Sequence, residues 1–382
     1  MNKGWVSTGA APDSIPERIG AGSQTIGMGD CMKIAALMTA LALCLSPLGA
    51  GGAWAQDIES ENDRAIALME TDPGAARAIL EPLAAAGDTE AMNTLAVLIG
   101  HDGPDWKGDP ARAEALQEAA VKGGSKVAAL NVALRILTEP QGDHARAIML
   151  LKIADRNAQL KVATAYPWGR AYLFGWGVER DMARGVAYLE EADAGGSFGG
   201  DINFLLGRAY DNGWGVTPDP ARAYGHMRAA ADAGDRRAQW QTGMMLLNGD
   251  GVAANEAEAY RYVKMSAENG HIDGMNSHAV MLALGQGVAK DEAAARDWYA
   301  AAAELGSAHA LRALGGMYLV GEGGEASPVL GVAMLELAAE AGDPLAPKVL
   351  DMAKDTAVEQ RAAIDVAKAE WVAAIGRPRT AQ

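Results

Sequence analysis

Cysteine is nearly missing from this 382-residue chain: the two that occur, Cys31 and Cys44, both fall within the first 44 residues. The rest of the chain therefore holds no disulfide, no thiolate nucleophile and no cysteine metal ligand. Aromatic residues are also scarce, at 5% of positions against 49% hydrophobic overall. A core drawn from this composition is built of alanine and aliphatic side chains packed closely, which suits stacked helices. Positive charge is the third shortage: 33 Lys+Arg stand against 49 Asp+Glu, a formal net charge of −16, and no Lys/Arg-rich run occurs. A nucleic acid is thereby a poor partner, because binding a phosphate backbone rests on basic patches.

Long apolar runs are equally rare, and the one that stands out lies in residues 32–56, MKIAALMTALALCLSPLGAGGAWAQ. Lys33 gives it a positive start, Ile34 to Leu45 an apolar stretch, and Ala53-Trp54-Ala55 a small-x-small end. That is the layout of a cleavable secretory signal at 32–55, cut between Ala55 and Gln56. The apolar part falls short of the ~20 residues a spanning helix requires. Leucine rather than a small residue precedes Cys44, which argues against a lipoprotein. Residues 1–31 are polar and glycine-rich, unlike a signal start, so they read as an unstructured segment or a mis-assigned start with translation beginning at Met32. The expected location is the periplasm or the exterior.

What the chain has in quantity is glycine at regular intervals. GWGV begins at Gly175 and again at Gly213, GDGV at Gly249, GQGV at Gly285 and GEGG at Gly321, with spacings of 38, 36, 36 and 36. A second series, Gly234, Gly270, Gly306 and Gly342, is also spaced by 36, and Gly87 and Gly123 share that interval. Two independent marks on one period identify a repeat array. Each unit reads as a helix, a Gly-x-Gly turn, a second helix and a closing glycine. A lone helix pair cannot bury its apolar face, so the expected fold is all-α, an α/α superhelical solenoid of about seven to eight helix-pair repeats. The expected divisions are degenerate N-terminal helical repeats over 56–157, clear repeats over 158–343, and C-terminal capping helices with a tail over 344–382.

Aligning the units assigns faces. Six residues before the turn stand Gly169, Gly207, Gly243, Ala279 and Gly315, spacers for close helix approach, and three before it Tyr172, Tyr210, Leu246, Leu282 and Tyr318. Those positions share the core face with the residue seven before the turn, which puts His278 in a slot that neighbouring repeats fill with Leu206 and Leu314. On the opposite face of each first helix lie Arg170, Arg208, Met244, Val280 and Gly316 at five before the turn. Tyr166, Phe204, Trp240, Asn276 and Arg312 lie at nine before it. Aromatic, Met and Arg side chains suit protein interfaces, so Tyr166, Arg170, Phe204, Arg208, Trp240 and Met244 form the expected partner-binding strip. The alternative is that they pack between adjacent first helices. Trp176 and Trp214, in the variable slot of two adjacent turns, form a second candidate contact, against the alternative that each indole folds back on its own repeat.

The run LLGRAYDNGWGVTPDPARAYGHMRAAADAGD, with its altered copies TGMMLLNGDGVAANEAEAYRYVKMSAENG and ALGGMYLVGEGGEASPVLGVAMLELAAEAG, resembles the Sel1-like repeat, a relative of the tetratricopeptide repeat. The resemblance implies a protein-binding solenoid whose first helices line the concave surface, an adaptor in signalling, envelope assembly or secretion. Exported members of that family include regulators of exopolysaccharide production. Cell-wall or polysaccharide binding, or the penicillin-binding or hydrolysing activity reported for cysteine-rich members, is the alternative it leaves open.

Catalytic patterns are thin. Gly195-Gly196-Ser197-Phe198-Gly199 matches G-x-S-x-G, but that motif needs a strand before the serine and here a helix precedes it. The six histidines, His101, His144, His226, His271, His278 and His309, include no i, i+4 pair around a glutamate. The expectation is a non-enzymatic scaffold without cofactor or metal, binding a protein or peptide of the cell envelope.

Overall fold

The computed structural model describes residues 60–103, 106–139, 141–196 and 199–375. The expected signal segment, residues 1–31 and Ser197 lie outside the described residues. Within them the chain is helical throughout, with no strand elements. The helices in chain order are α1 (Glu61–Leu68), α2 (Pro73–Ala85), α3 (Thr89–Ile99), α4 (Pro110–Lys122), α5 (Lys126–Thr138), α6 (His144–Ala154), α7 (Lys161–Phe174), α8 (Met182–Ala194), α9 (Gly199–Asn212) and α10 (Pro220–Asp232). There follow α11 (Arg236–Asn248), α12 (Glu256–Glu268), α13 (Ile272–Leu284), α14 (Glu292–Glu304), α15 (Ala308–Val320), α16 (Pro328–Glu340), α17 (Ala346–Met352), α18 (Lys354–Glu359) and α19 (Arg361–Ile375). The chain falls into two compact units, Met1–Phe198 with Asn212–Thr217, and Gly199–Asp211 with Pro218–Gln382. In each, successive helices pair as the repeat predicts.

The second helix of every clear repeat starts on a side-chain cap. Asp181, Asp219, Asn255, Asp291 and Ser327 each accept a hydrogen bond from a backbone N–H of the first turn of α8, α10, α12, α14 and α16. The backbone N–H of each cap donates to the carbonyl of Tyr172, Tyr210, Leu246, Leu282 or Tyr318, at 2.8 to 3.0 Å. One residue thus starts the second helix and ties it to the end of the first. A cap of this kind stabilises by about 1 kcal/mol.

The two turn glycines do different work, as Gly249 and Gly251 show. Gly249 adopts the left-handed conformation (φ 82°) and its N–H donates to Met245, ending α11. Gly251 (φ 71°) lies against the start of α10 in the preceding repeat, where a Cβ would fall 2.0 Å from the Pro220 carbonyl oxygen. The same approach recurs at Gly287 and Gly323, each against the first residue of the preceding repeat's second helix. The second glycine is thus the contact through which one repeat seats on the last. Among the closing glycines, the left-handed residue after α4 is Gly124 (φ 96°), while Gly123 caps the helix in the right-handed region. The earlier repeat is therefore one residue longer than the spacing of Gly87 and Gly123 predicts.

Between paired helices the approach is close where the small residues stand. A Cβ on Gly169 would meet the Gly185 carbonyl at 3.1 Å, and one on Gly315 the Gly331 carbonyl at 2.9 Å. The core position one residue earlier holds Trp168, Leu206, Thr242, His278 and Leu314, all buried. At the C-terminal end, α17, α18 and α19 pack against α16. Ile364 is fully buried there, and Glu336 pairs with Arg361 and Lys368.

His278 is the exception in this core. It is 2% exposed, its ring lies 5.2 Å from Tyr260 and 5.0 Å from Trp298, and its Nδ1 has no hydrogen-bond partner. Burial, aided by Lys264 and opposed by Glu268, pushes the imidazole down to about 4. The unfolded chain, with histidine near its ordinary 6.5, binds the proton more readily, so folding stability declines as pH falls from about 6.5 to about 4 and is complete above that window. His278→Leu, which copies neighbouring repeats, is expected to remove on the order of 2–3 kcal/mol of that acid sensitivity, read as the difference between variant and wild-type urea midpoints at pH 7.5 and pH 4.5.

A second prediction concerns the glycines. Gly251→Ala combines a disfavoured φ with a backbone collision and is expected to destabilise by about 2–4 kcal/mol. Gly225→Ala, inside α10 with nothing within 4 Å of the added methyl, is expected to stabilise by about 0.5–1 kcal/mol. Urea midpoints of the two variants should move in opposite directions.

Candidate functional site

In the first unit, Tyr166 is buried at 7% exposure inside α7, and Arg170, one turn on, lies over its ring at 5.6 Å and donates to its hydroxyl at 3.3 Å. The same guanidinium lies 4.9 Å from the Trp176 ring. Trp176 is half-buried, 4.9 Å from Phe174 and 5.4 Å from His144 at the start of α6. It folds back on its own repeat and on the preceding helix. Trp214 is buried at 7% exposure. Tyr166, Arg170 and Trp176 therefore form one packed cluster at the end of α7.

In the second unit, Phe204 of α9 is buried at 7% exposure beneath the Arg237 guanidinium, 4.0 Å from its ring. Arg237 in turn bonds Asp235 and Asp201. Burial works against its charge but is outweighed by those carboxylates, chiefly Asp235, which hold it above the usual arginine range. Trp240 of α11 donates its indole N–H to Ser277 of α13 at 2.9 Å and lies 5.7 Å from His271. Asn276 donates to Ser307, the cap of α15, at 3.0 Å, and Arg312 pairs with Asp343 at 3.0 Å. The position nine before the turn thus joins adjacent repeats.

Five before the turn the environment differs. Arg208 is half-buried, and burial lowers its proton affinity, with Asp211 opposing and Arg237 adding. Met244 and Val280 are also half-buried, and beyond Gly316 nothing lies within 4 Å of where a Cβ would sit. One helical turn further on come Asn248, Leu284 and Val320, all exposed, the last two at 69% each. Residues four apart share a helix face, so α13 offers Val280 with Leu284, and α15 offers Gly316 with Val320. The sequence reading missed Leu284 and Val320; the available signal was an apolar residue directly before the turn glycine, where other repeats have Phe174, Asn212 and Asn248.

Acidic groups gather at the ends of these helices. Asp211 lies in the last turn of α9, Asp250 and Glu322 in the turns after α11 and α15. Burial raises the Asp211 carboxyl, Arg208 opposes the shift and Asp250 adds to it. Among the described residues no group of three or more His, Cys, Asp or Glu is placed to hold a metal ion, and no helix is long and apolar enough to cross a membrane.

The Sel1 repeat family model matches residues 157–196, 203–235, 236–271, 272–307 and 308–343. Among solved structures, a Sel1 repeat protein from Oxalobacter formigenes is 26% identical, with 54% of this chain and 83% of that one covered and a TM-score of 0.50. A protective antigen of uropathogenic Escherichia coli strains displaying an SLR fold is 19% identical, covering 84% of this chain and 87% of that one, with a TM-score of 0.46. No curated protein matches the chain. The last three matches begin where α11, α13 and α15 begin, one helix pair to a repeat. Over residues 157–343 the chain belongs to the Sel1-like repeat family.

Proposed function

We propose that the protein is an exported, non-catalytic scaffold that binds a protein partner of the cell envelope along the first helices of its Sel1 repeats. Repeats of this family commonly serve as protein-interaction scaffolds. The observation that carries the reading is a division of labour within the repeat. Caps, turn glycines and small spacers recur from repeat to repeat, whereas the position five before the turn changes from Arg208 to Met244, Val280 and Gly316 while staying at the surface or half-buried. Positions that the fold does not constrain and solvent reaches are where recognition can be written. The acidic surface keeps such a scaffold soluble. Export rests on the sequence of residues 32–55.

Two measurements test the reading. Protein recovered from its producing cells is expected to begin at Gln56 by mass spectrometry, and an intact start at Met1 or Met32 would rule out the cleaved signal. In crosslinked pull-downs, wild type is expected to enrich one envelope protein that a Met244→Arg/Val280→Arg variant of unchanged helicity loses at least about tenfold. Equal recovery by both, or no enrichment, would count against the first-helix face.

A further inference from the structure

The second helices of the first unit are joined by ion pairs whose positions are fixed relative to the helix caps. Glu81, nine residues after the cap Asp72, accepts from Arg112, three after the cap Asp109, at 2.9 Å. Glu118, nine after Asp109, accepts from Arg146, three after Asp143, at 2.6 Å. The second unit keeps such a rung with its charges exchanged: Arg228, nine after Asp219, pairs with Glu258, three after Asn255, at 3.8 Å. Between α6 and α8 the same two positions hold Lys152, nine after Asp143, and Arg184, three after Asp181. The register there is unchanged, since Gly177 seats on His144, the first residue of α6, as Gly251 seats on Pro220, the first residue of α10. This rung has two cations and no carboxylate.

Neither cation finds a carboxylate on another helix. Lys152 is exposed and makes no hydrogen bond or ion pair among the described residues. Arg184 is exposed too, and its guanidinium rests on the stacked rings of Tyr172 and Tyr188, 4.3 Å and 5.9 Å away, with the Tyr188 hydroxyl as its hydrogen-bond partner. A guanidinium stacked on an aromatic face keeps its other in-plane N–H groups for a carboxylate. Asp181 attracts it, but Asp109 and Asp143 stand in the same relation to Arg112 and Arg146, which take a glutamate all the same. From α6 through α7 the only carboxylate is Asp155, already bonded by the Thr164 hydroxyl, against Arg146, Lys152, Arg156, Lys161 and Arg170. Glu179, before the cap of α8, has Arg180 beside it, and Glu190 and Glu191 lie about 9–10 Å further along the axis of α8 than Arg184. In a chain of net charge −16 this is a locally basic face.

We infer that Lys152 and Arg184 bind a glutamate or aspartate side chain of a protein partner, which completes from outside the rung that Glu81 and Glu118 complete from within. The intramolecular rungs identify the chemistry, because a side-chain carboxylate is what the arginine three after the cap takes in both preceding repeats. An exposed ion pair contributes little by itself, so the contact draws on two cations converging on one anion, with the guanidinium held in place by its tyrosines. The surface belongs to the second helices rather than the first, so it is an additional contact and does not depend on the first-helix face.

The test uses the full chain and a fluorescein-labelled glutamate/alanine peptide of about 12 residues, with a glutamine/alanine peptide of the same pattern as control. At about 0.1 M salt the repulsion from distant carboxylates is screened beyond roughly 10 Å, so fluorescence anisotropy reads the local face. The glutamate peptide is expected to bind with a Kd on the order of a hundred micromolar, and the glutamine peptide not measurably. Lys152→Glu supplies the missing carboxylate from within. It is expected to raise the melting temperature by about 1–3 °C and to cut affinity at least about tenfold. Lys152→Gln should weaken binding without the thermal gain. Lys107→Glu, the same charge change on an exposed lysine between α3 and α4, should leave affinity within about twofold. No binding of the glutamate peptide, affinity insensitive to Lys152, an equal loss with Lys107→Glu, or a melting temperature not raised by Lys152→Glu would overturn the inference. Tighter binding of polygalacturonate or inorganic polyphosphate than of the peptide would overturn it too, assigning the face to a glycan or a phosphate. All of these outcomes leave the first-helix reading standing, and failure of the first-helix pull-down leaves this rung in place.

Discussion

The closeness of the two helices in each repeat is the constraint on which the rest depends. Gly169 opposes Gly185, Gly243 opposes Ala259, and Gly315 opposes Gly331, at distances where a methyl group would press on a carbonyl. The fourth pair shows the limit: Ala279 and Ala295 both keep their methyl groups and are fully buried. Backbones this close leave little volume for large side chains in between, which explains a core dominated by alanine, leucine and methionine and the scarcity of aromatic residues in the composition. Several of the aromatic residues that remain are covered by arginines. Arg222 lies 3.9 Å from the Tyr210 ring, Arg184 4.3 Å from Tyr172 and Arg296 3.8 Å from Tyr318. At exposed sites each such contact contributes about 0.5–1 kcal/mol, so together they supplement the core without replacing it.

Joining one repeat to the next is a separate problem with a separate solution. Within a repeat the bond is backbone to backbone, through the cap and the carbonyl three residues before the turn. Between repeats it is a glycine against a helix start, supplemented by polar side chains such as Trp240 with Ser277 and Asn276 with Ser307, the cap of α15. These groups are largely withdrawn from water, so each bond also avoids leaving a buried polar group unmet. Because a repeat touches only its neighbours, a local weakness such as the buried imidazole of His278 acts on the stability of its own part of the array.

Much of this was legible in the sequence, and the illegible part has a definite cause. The period, the turn glycines, the small spacers and the core slot of His278 all depend on geometry inside one repeat, where sequence spacing translates directly into position. The residues nine before the turn do not. A helical wheel with one core places Tyr166, Phe204 and Trp240 on the outer side, but a first helix in a stacked array also has adjacent first helices beside it. The partners of Trp240, Asn276 and Arg312 lie 37, 31 and 31 residues further on. Two of them share an offset of 31, to the residue after the closing glycine, but it reaches past the helix pair that a single wheel describes. Trp176 escaped for a related reason: the glycine after it brings the turn tip against the preceding helix, so its indole has a surface to fold onto.

The separation of intra-repeat and inter-repeat contacts is also what leaves a surface free to vary. Once the core face, the turn and the position nine before it are committed to packing, a first helix retains one stripe that stays partly open to solvent. Along the second unit that stripe runs from Arg208 through Met244 to Val280 and Gly316, from a long cation to no side chain at all. A change of that size within the packed core would destabilise the fold by several kcal/mol. On this stripe it changes the depth and polarity of the surface while the helices beneath keep the same caps and turns.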